Sequence, residues 1–203
     1  MYRKYIKRLL DLLLSGLALI ILALPLLILA LIVKLDSRGP VLFWQKRVGL
    51  HKETFRMPKF RSMYTETPAE MPTHLLSDPE RWITPVGKVY RKLSLDELPQ
   101  LWSIFTGRMS IIGPRPALWN QFDLIEERDK YGANDVRPGL TGWAQINGRD
   151  ELEIPVKARL DGEYVEKMSF LFDCKCFFGT ILAVLRHDGV VEGGTGAMQQ
   201  EKK

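Results

Sequence analysis

Between Leu9 and Val33 the chain is apolar apart from Asp11 and Ser15, and from Gly16 to Val33 it carries no charge. A run of that length meets the criterion for a membrane segment and restricts the fold more than any other feature. A cleaved leader would also begin with cations such as Arg3, Lys4, Lys7 and Arg8. However, the run exceeds a usual signal core, and no small-x-small cleavage site follows it. Charge placement speaks against simple crossing. Cations also follow the run closely, at Lys34, Arg38, Lys46 and Arg47, and the positive-inside rule asks both flanks to stay cytoplasmic. Pro25 stands mid-run, where it removes a helix hydrogen bond and clashes with the preceding turn, at roughly 3 kcal/mol in a soluble helix. A helix broken there can enter one leaflet, turn and leave on the same side, provided the freed carbonyls find partners. On the residues alone, a re-entrant helix and a spanning helix both stay open.

The chain as a whole has the balance of a folded protein. Of 203 residues, 46% are apolar and 26% charged, enough for one domain with a proper core. A net charge of +5 favours an anionic partner: nucleic acid, a phosphorylated metabolite or anionic lipid. Cys174 and Cys176 are too few for a structural zinc site or a disulfide scaffold and read as small buried apolar residues.

Residues 39–63 alternate apolar and charged positions around a glycine-containing centre, which predicts a hairpin. Residues 64–85, with Pro68, Pro72, Pro79 and Pro85, read as a long loop or lid. A helix is expected from Ser94 or Asp96 to about Phe105, ending at Gly107. Helical spacing recurs at 119–131, where the acids read as solvated. Residues 137–149 read as glycine-punctuated loop, and helices are expected at 154–167 and 170–186. The last of these suits the core or a membrane interface equally. The fold class is α+β: a compact mixed helical domain with a small β-hairpin, attached to an N-terminal membrane helix. Its parts are a membrane segment at 1–36, a globular domain at 37–188 and a disordered tail at 189–203.

The stretch "RKLSLDELPQLW", residues 91–102, sets Asp96 beside Glu97. Ser94 with Glu97 has the form of a capping box, and Asp96 could itself cap the helix, with Pro99 tolerated in its first turn. Capping does not explain the nearby cations on Pro- or Gly-fixed backbone. Arg115 lies between two prolines in "GPRP", Arg137 precedes Pro138, and Arg149 follows Gly148. Arg91 lies just upstream of the acids, and Lys59 and Arg61 end the expected hairpin. Together they suggest a pocket for a multiply charged phosphate. A carboxylate beside it can hold a divalent cation through hard oxygens or attack phosphorus as a nucleophile. Either role suits the scarcity of histidine, because aspartate is already ionised at neutral pH. His51, His74 and His187 lie outside these clusters, and no Ser-His-Asp pattern, Walker loop or dinucleotide fingerprint is present.

"KFRSM", "SLDELPQLW", "GRMSIIGPRP" and "VRPGLTGWAQINGR" together resemble the small monotopic phosphoglycosyl transferases of the bacterial sugar transferase family, in family order and over nearly the whole chain. The resemblance implies transfer of a sugar-1-phosphate from a UDP-sugar to undecaprenyl phosphate, with release of UMP, at the start of glycoconjugate assembly. It implies Asp96 as the nucleophile that carries a covalent phosphosugar and Glu97 as a ligand of Mg²⁺. Lys59, Arg91, Arg115, Arg137 and Arg149 would bind phosphate or nucleotide. It favours the re-entrant helix, broken at Pro25, although Leu24 stands where the family often has serine. The expected setting is the cytoplasmic face of the bacterial inner membrane, with both termini cytoplasmic and later glycosyltransferases as possible partners. No nucleic acid partner is expected. The competing reading, a non-enzymatic membrane-anchored module binding anionic lipid or nucleic acid, fits less well. The cations are spread over fixed loops, not gathered in a tract with interleaved aromatics.

Overall fold

The computed structural model describes residues 1–67, 78–148 and 152–186. Part of the expected lid, the tail from 189 and Arg149 lie outside them.

A short π-helical turn, Tyr2–Ile6, leads into α1 (Lys7–Ile21), and α2 (Ala23–Asp36) follows after a single residue. The two arms are bent by 64°. The break falls at Leu22 (φ −88°, ψ 5°), and Pro25 lies within the first turn of α2. A proline disturbs the carbonyl four residues back, here Ile21, so the bend appears one turn before the ring itself. Among the described residues no single helix is long and apolar enough to cross a membrane, whereas the bent pair together has the length and composition.

Both arms expose large apolar side chains on one side, including Leu13, Leu17, Ile20, Leu24, Leu27 and Leu31. Their other sides belong to the domain. Lys7, Asp11 and Ser15, spaced four apart and so on one helix face, are all buried. Lys7 Nζ donates to Asp173 Oδ2 (2.6 Å), and Asp11 Oδ1 accepts from the backbone N–H of Ile111 (2.9 Å). Arg8 donates to the carbonyls of Ile104 (2.7 Å) and Phe105 (2.8 Å), satisfying the end of a later helix. Two cations that look in sequence like a plain positive leader thus act as internal fasteners.

Strands β1 (Leu42–Val48) and β2 (Thr54–Phe60) form the expected hairpin, antiparallel with Trp44 opposite Pro58. Phe55 and Met57 pack with Leu101, Ile104 and Met109 and against Ala18, Leu19 and Leu22 of the bent pair. Phe60 and Tyr90 enclose Val33 of α2. Arg61 is buried and donates to the carbonyls of Ser37 (2.7 Å) and Arg38, so it closes the end of α2 instead of facing a ligand.

A one-turn helix, α3 (Pro79–Trp82), precedes α4 (Pro85–Lys92), which was not expected from the sequence. Thr84 caps α4 by accepting from Gly87 N (2.9 Å), and Pro85 opens it, where a missing N–H costs nothing. After α5 (Gln100–Phe105), β3 (Ser110–Ile112) pairs in parallel with β4 (Gly139–Thr141). The glycines of 137–149 therefore mark close packing, not only loop. A Cβ on Gly139 would lie 2.1 Å from Gly113 N, so only glycine admits this approach. A single turn, α7 (Trp143–Ile146), follows.

Helices α6 (Phe122–Asp129), α8 (Ile154–Lys167) and α9 (Phe170–Arg186) complete the domain. The charged face of α6 is not wholly solvated, since Arg128 reaches inward to Asp161 (2.6 Å) and both are buried. Asp173 on α9 gathers Tyr2, Lys7 and Tyr164 and so joins the N-terminus, α8 and α9. Burial and the Asp173 carboxylate push the Tyr164 hydroxyl above its usual range, which keeps it a donor. Cys176 is fully buried and Cys174 partly so, as small apolar residues.

Candidate active site

Between α4 and α5 the chain turns sharply. Ser94 takes a left-handed conformation (φ 54°), and Leu95–Glu97 form one 3₁₀ turn. Ser94 makes no side-chain cap, and the capping box suggested by its spacing to Glu97 is not formed. Glu97 is engaged elsewhere. It accepts from Lys59 Nζ on β2 at 3.1 Å and from both terminal nitrogens of Arg115. This fork-on-carboxylate geometry fixes the Arg115 head in one plane.

The backbone around Arg115 is held as firmly as its head. Gly139 N donates to Pro114 O (2.8 Å), and Arg47 donates to Pro116 O (2.8 Å). In sequence Arg47 reads only as a cation flanking the membrane run; it lies on β1, where its backbone bridges to Leu118 just after this loop. Arg91, in the last turn of α4, lies 3.9 Å from Met63 Sδ and close enough to Asp96 to lower its pKa.

Asp96 is only 7% exposed. Burial raises its carboxyl above the ordinary range, and Lys59, Arg91 and Arg115 oppose that rise while the neighbouring Glu97 adds to it. The result is a poorly hydrated carboxylate facing guanidinium and ammonium groups, which suits attack on a phosphorus whose charge those cations would neutralise.

Glu97 and Arg115 also form the polar end of a cavity of about 210 Å³. Its other walls are largely apolar and include Ile146, Phe177 and Ile181. Thr141 and Thr180, hydrogen-bonded to each other at 2.7 Å, also line it.

Of the residues singled out in sequence, Lys59, Arg91, Asp96, Glu97 and Arg115 thus converge. Arg137 does not join them. It donates to Gly107 O (2.9 Å) and lines a smaller cavity with Arg3, Lys7 and Arg8. Arg149 lies outside the described residues.

The family model described as "Bacterial sugar transferase" matches residues 2–187. The chain belongs to the bacterial sugar transferase family. It is similar to EpsL, an uncharacterized sugar transferase of Bacillus subtilis (strain 168), at 42% identity over 159 residues, covering 78% of this chain and 77% of the relative. It is 44% identical over 186 residues to an undecaprenyl-phosphate glucose phosphotransferase of Komagataeibacter xylinus, covering 86% of this chain and 35% of that protein. A UDP-glucose:undecaprenyl-phosphate glucose-1-phosphate transferase of Escherichia coli (strain K12) is 39% identical over 185 residues, covering 88% of this chain and 40% of the relative. The chain therefore spans most of EpsL but well under half of the other two. The matched region of this family member contains all the converging residues described above.

Proposed function

We propose that this sugar transferase moves a sugar-1-phosphate from a UDP-sugar to undecaprenyl phosphate, with Asp96 as the nucleophile. The observation that carries this reading is a buried carboxylate surrounded by Lys59, Arg91 and Arg115 on separately anchored backbone. An Asp96 oxygen attacks the phosphorus that bears the sugar. The bond to the bridging oxygen breaks, and UMP leaves with that oxygen. An oxygen of undecaprenyl phosphate then attacks the same phosphorus, freeing Asp96 and giving the polyprenyl diphosphosugar. Neither step needs a general base where Lys59, Arg91 and Arg115 hold Asp96 ionised against the effect of burial, because both nucleophiles are then anions.

The donor set for an ion fits magnesium shared with substrate. Glu97 would supply the hard oxygens, and no group of three His, Cys, Asp or Glu gathers as a closed metal site among the described residues. Magnesium bound here would neutralise diphosphate charge. Arg115 and Lys59 hold Glu97 in place for that ion and present their remaining donors to the diphosphate.

The bent pair is read as a re-entrant element at the cytoplasmic face of the bacterial inner membrane. Its support is that both arms dock on the same domain: α1 through Lys7 and Arg8, α2 through Arg61 and through Tyr90, whose hydroxyl donates to Leu29 O (2.9 Å). Identification of the nucleotide product tests the reaction: UMP is expected, and UDP alone would exclude it.

A further inference from the structure

The smaller cavity, of about 100 Å³, lies at the foot of α1. Four cations line it: Arg3, Lys7 and Arg8 from the N-terminus, and Arg137 from the segment before β4. Strand β3 separates it from the cavity beside Glu97. Ser110 lines one and Ile111 the other, as successive residues of a strand do. Not all of this charge is spent on the fold. Lys7 is paired with Asp173, and Arg8 donates to two carbonyls of α5. Arg137 donates only through Nε, to Gly107 O, and its two terminal nitrogens make no hydrogen bond among the described residues. Arg3 is exposed and makes no hydrogen bond or ion pair among them. Arg8 and Arg137 also converge on one turn. A Cβ on Gly107 (φ +86°) would lie 3.1 Å from Arg8 Nη2, and the carbonyl of the same glycine holds Arg137. Like charges set against one residue repel, and an anion between them turns that cost into attraction. Two acids also line the cavity, and both are engaged: Asp11 by the N–H of Ile111, and Asp135 with His51 Nδ1 at 3.2 Å.

We infer that this cavity binds a phosphate group, and its surroundings favour the headgroup of an anionic phospholipid over free phosphate as the source. Guanidinium forks match phosphate oxygens. The volume is that of about three waters, against roughly 300–1,000 Å³ for drug-sized ligands, so it fits one small anion and not a nucleotide. Exposed apolar side chains begin beside the cations, at Tyr5, Ile6 and Leu9. Met168, in the cavity wall, leads into α9, whose Phe170 and Leu171 are also exposed. Tyr2 packs edge-on against Phe170 with ring centres 6.3 Å apart, so these two apolar groups meet. A phospholipid needs this combination: cations for its headgroup, with aromatic and aliphatic surface alongside. The choice of source rests on the bent pair being a membrane element; the assignment to phosphate does not.

Arg3→Gln is the cleanest variant, because Arg3 fastens nothing among the described residues. Arg137→Gln is the second, with thermal melting to check that it folds. Arg56→Gln removes an exposed cation from β2 and controls for net charge. Each full-length protein, in neutral detergent, is titrated calorimetrically with inorganic phosphate, short-chain phosphatidylglycerol and short-chain phosphatidylcholine. The wild type is expected to bind phosphatidylglycerol at one saturable site and more tightly than phosphatidylcholine. Arg3→Gln is expected to weaken that binding about fivefold and Arg137→Gln about tenfold, as for a surface cation and a charge-assisted hydrogen bond. Arg56→Gln should leave it unchanged. Weakening confined to phosphatidylglycerol assigns the lipid as the source; weakening with inorganic phosphate as well assigns the cavity to phosphate from either source. Equal binding of the two lipids would overturn the lipid source. No weakening with either phosphate ligand in Arg3→Gln, or the same weakening in Arg56→Gln, would overturn the site itself. A bent pair found to cross the membrane would overturn the re-entrant reading alone and leave the titrations to judge the cavity.

Discussion

Arg115 and Glu97 are locked head to head, with one guanidinium nitrogen on each carboxylate oxygen. Lys59 shares the Oε1 atom, so one carboxylate organises two cations from different parts of the chain. Glu97→Gln is expected to lower kcat/KM for UMP release by about a hundred- to a thousandfold, the usual effect of removing one preorganised electrostatic group. Arg115→Lys keeps the charge but not the fork and is expected to raise donor KM about tenfold. Steady-state UMP release measures both.

Asp96 gives a stability effect of opposite sign to its activity effect. Burial holds its folded pKa above the ordinary aspartate value. Such an acid binds its proton more tightly when folded, so ionisation destabilises the fold. The penalty is absent below the unfolded pKa, grows as pH rises towards the folded value, and is complete above it. Asp96→Asn removes it. In chelator, the variant is expected to melt higher than wild type near neutral pH, with the gap closing on acidification towards the ordinary carboxylate range. A variant that melts lower at neutral pH would show that the surrounding cations outweigh burial.

Lys7 and Asp173 form a buried pair, with side chains 11% and 10% exposed. Lys7→Met leaves Asp173 buried with only its tyrosine donors and is expected to cost roughly 3–5 kcal/mol. Asp173→Asn added to Lys7→Met should recover much of that loss. Denaturant unfolding in detergent, followed by tryptophan fluorescence, measures it. An effect below about 1 kcal/mol would mark the pair as surface-like.

The re-entrant reading places both flanks of the bent pair on one side. Arg3→Cys and Arg38→Cys, each in a background lacking Cys174 and Cys176, should both be shielded from an outside-only thiol reagent. Opposite accessibility would mean a helix that crosses.

Magnesium dependence is a separate expectation. Chelation should abolish UMP release without lowering the melting temperature by more than a few degrees, and added Mg²⁺ should restore it. Full activity in chelator would remove Glu97 from the ion-binding role.

Local pattern carried much of the fold. The hairpin, α8 and α9 were legible because period-two and helical spacing are contained within each element. Helix α4 was missed because Thr84-Pro85 was read as the end of a proline-rich loop, although Thr before Pro is also a helix start. The β3–β4 pair could not be read locally, since its strands lie far apart in sequence and its glycines look like turns. In the site, Asp96 and Glu97 were legible as a motif, but the division of labour among the cations was not. Arg61 and Arg115 both follow proline-containing stretches, yet one seals a helix end and the other grips Glu97. Only packing distinguishes them.

Intact-mass spectrometry of the full-length protein, mixed with UDP-sugar and Mg²⁺ but no lipid acceptor, tests the central claim most directly. The wild type is expected to gain the mass of one phosphosugar, to lose it when undecaprenyl phosphate is added, and to show no gain as Asp96→Asn. Continued turnover with no added mass, or an adduct that persists in Asp96→Asn, would contradict the account.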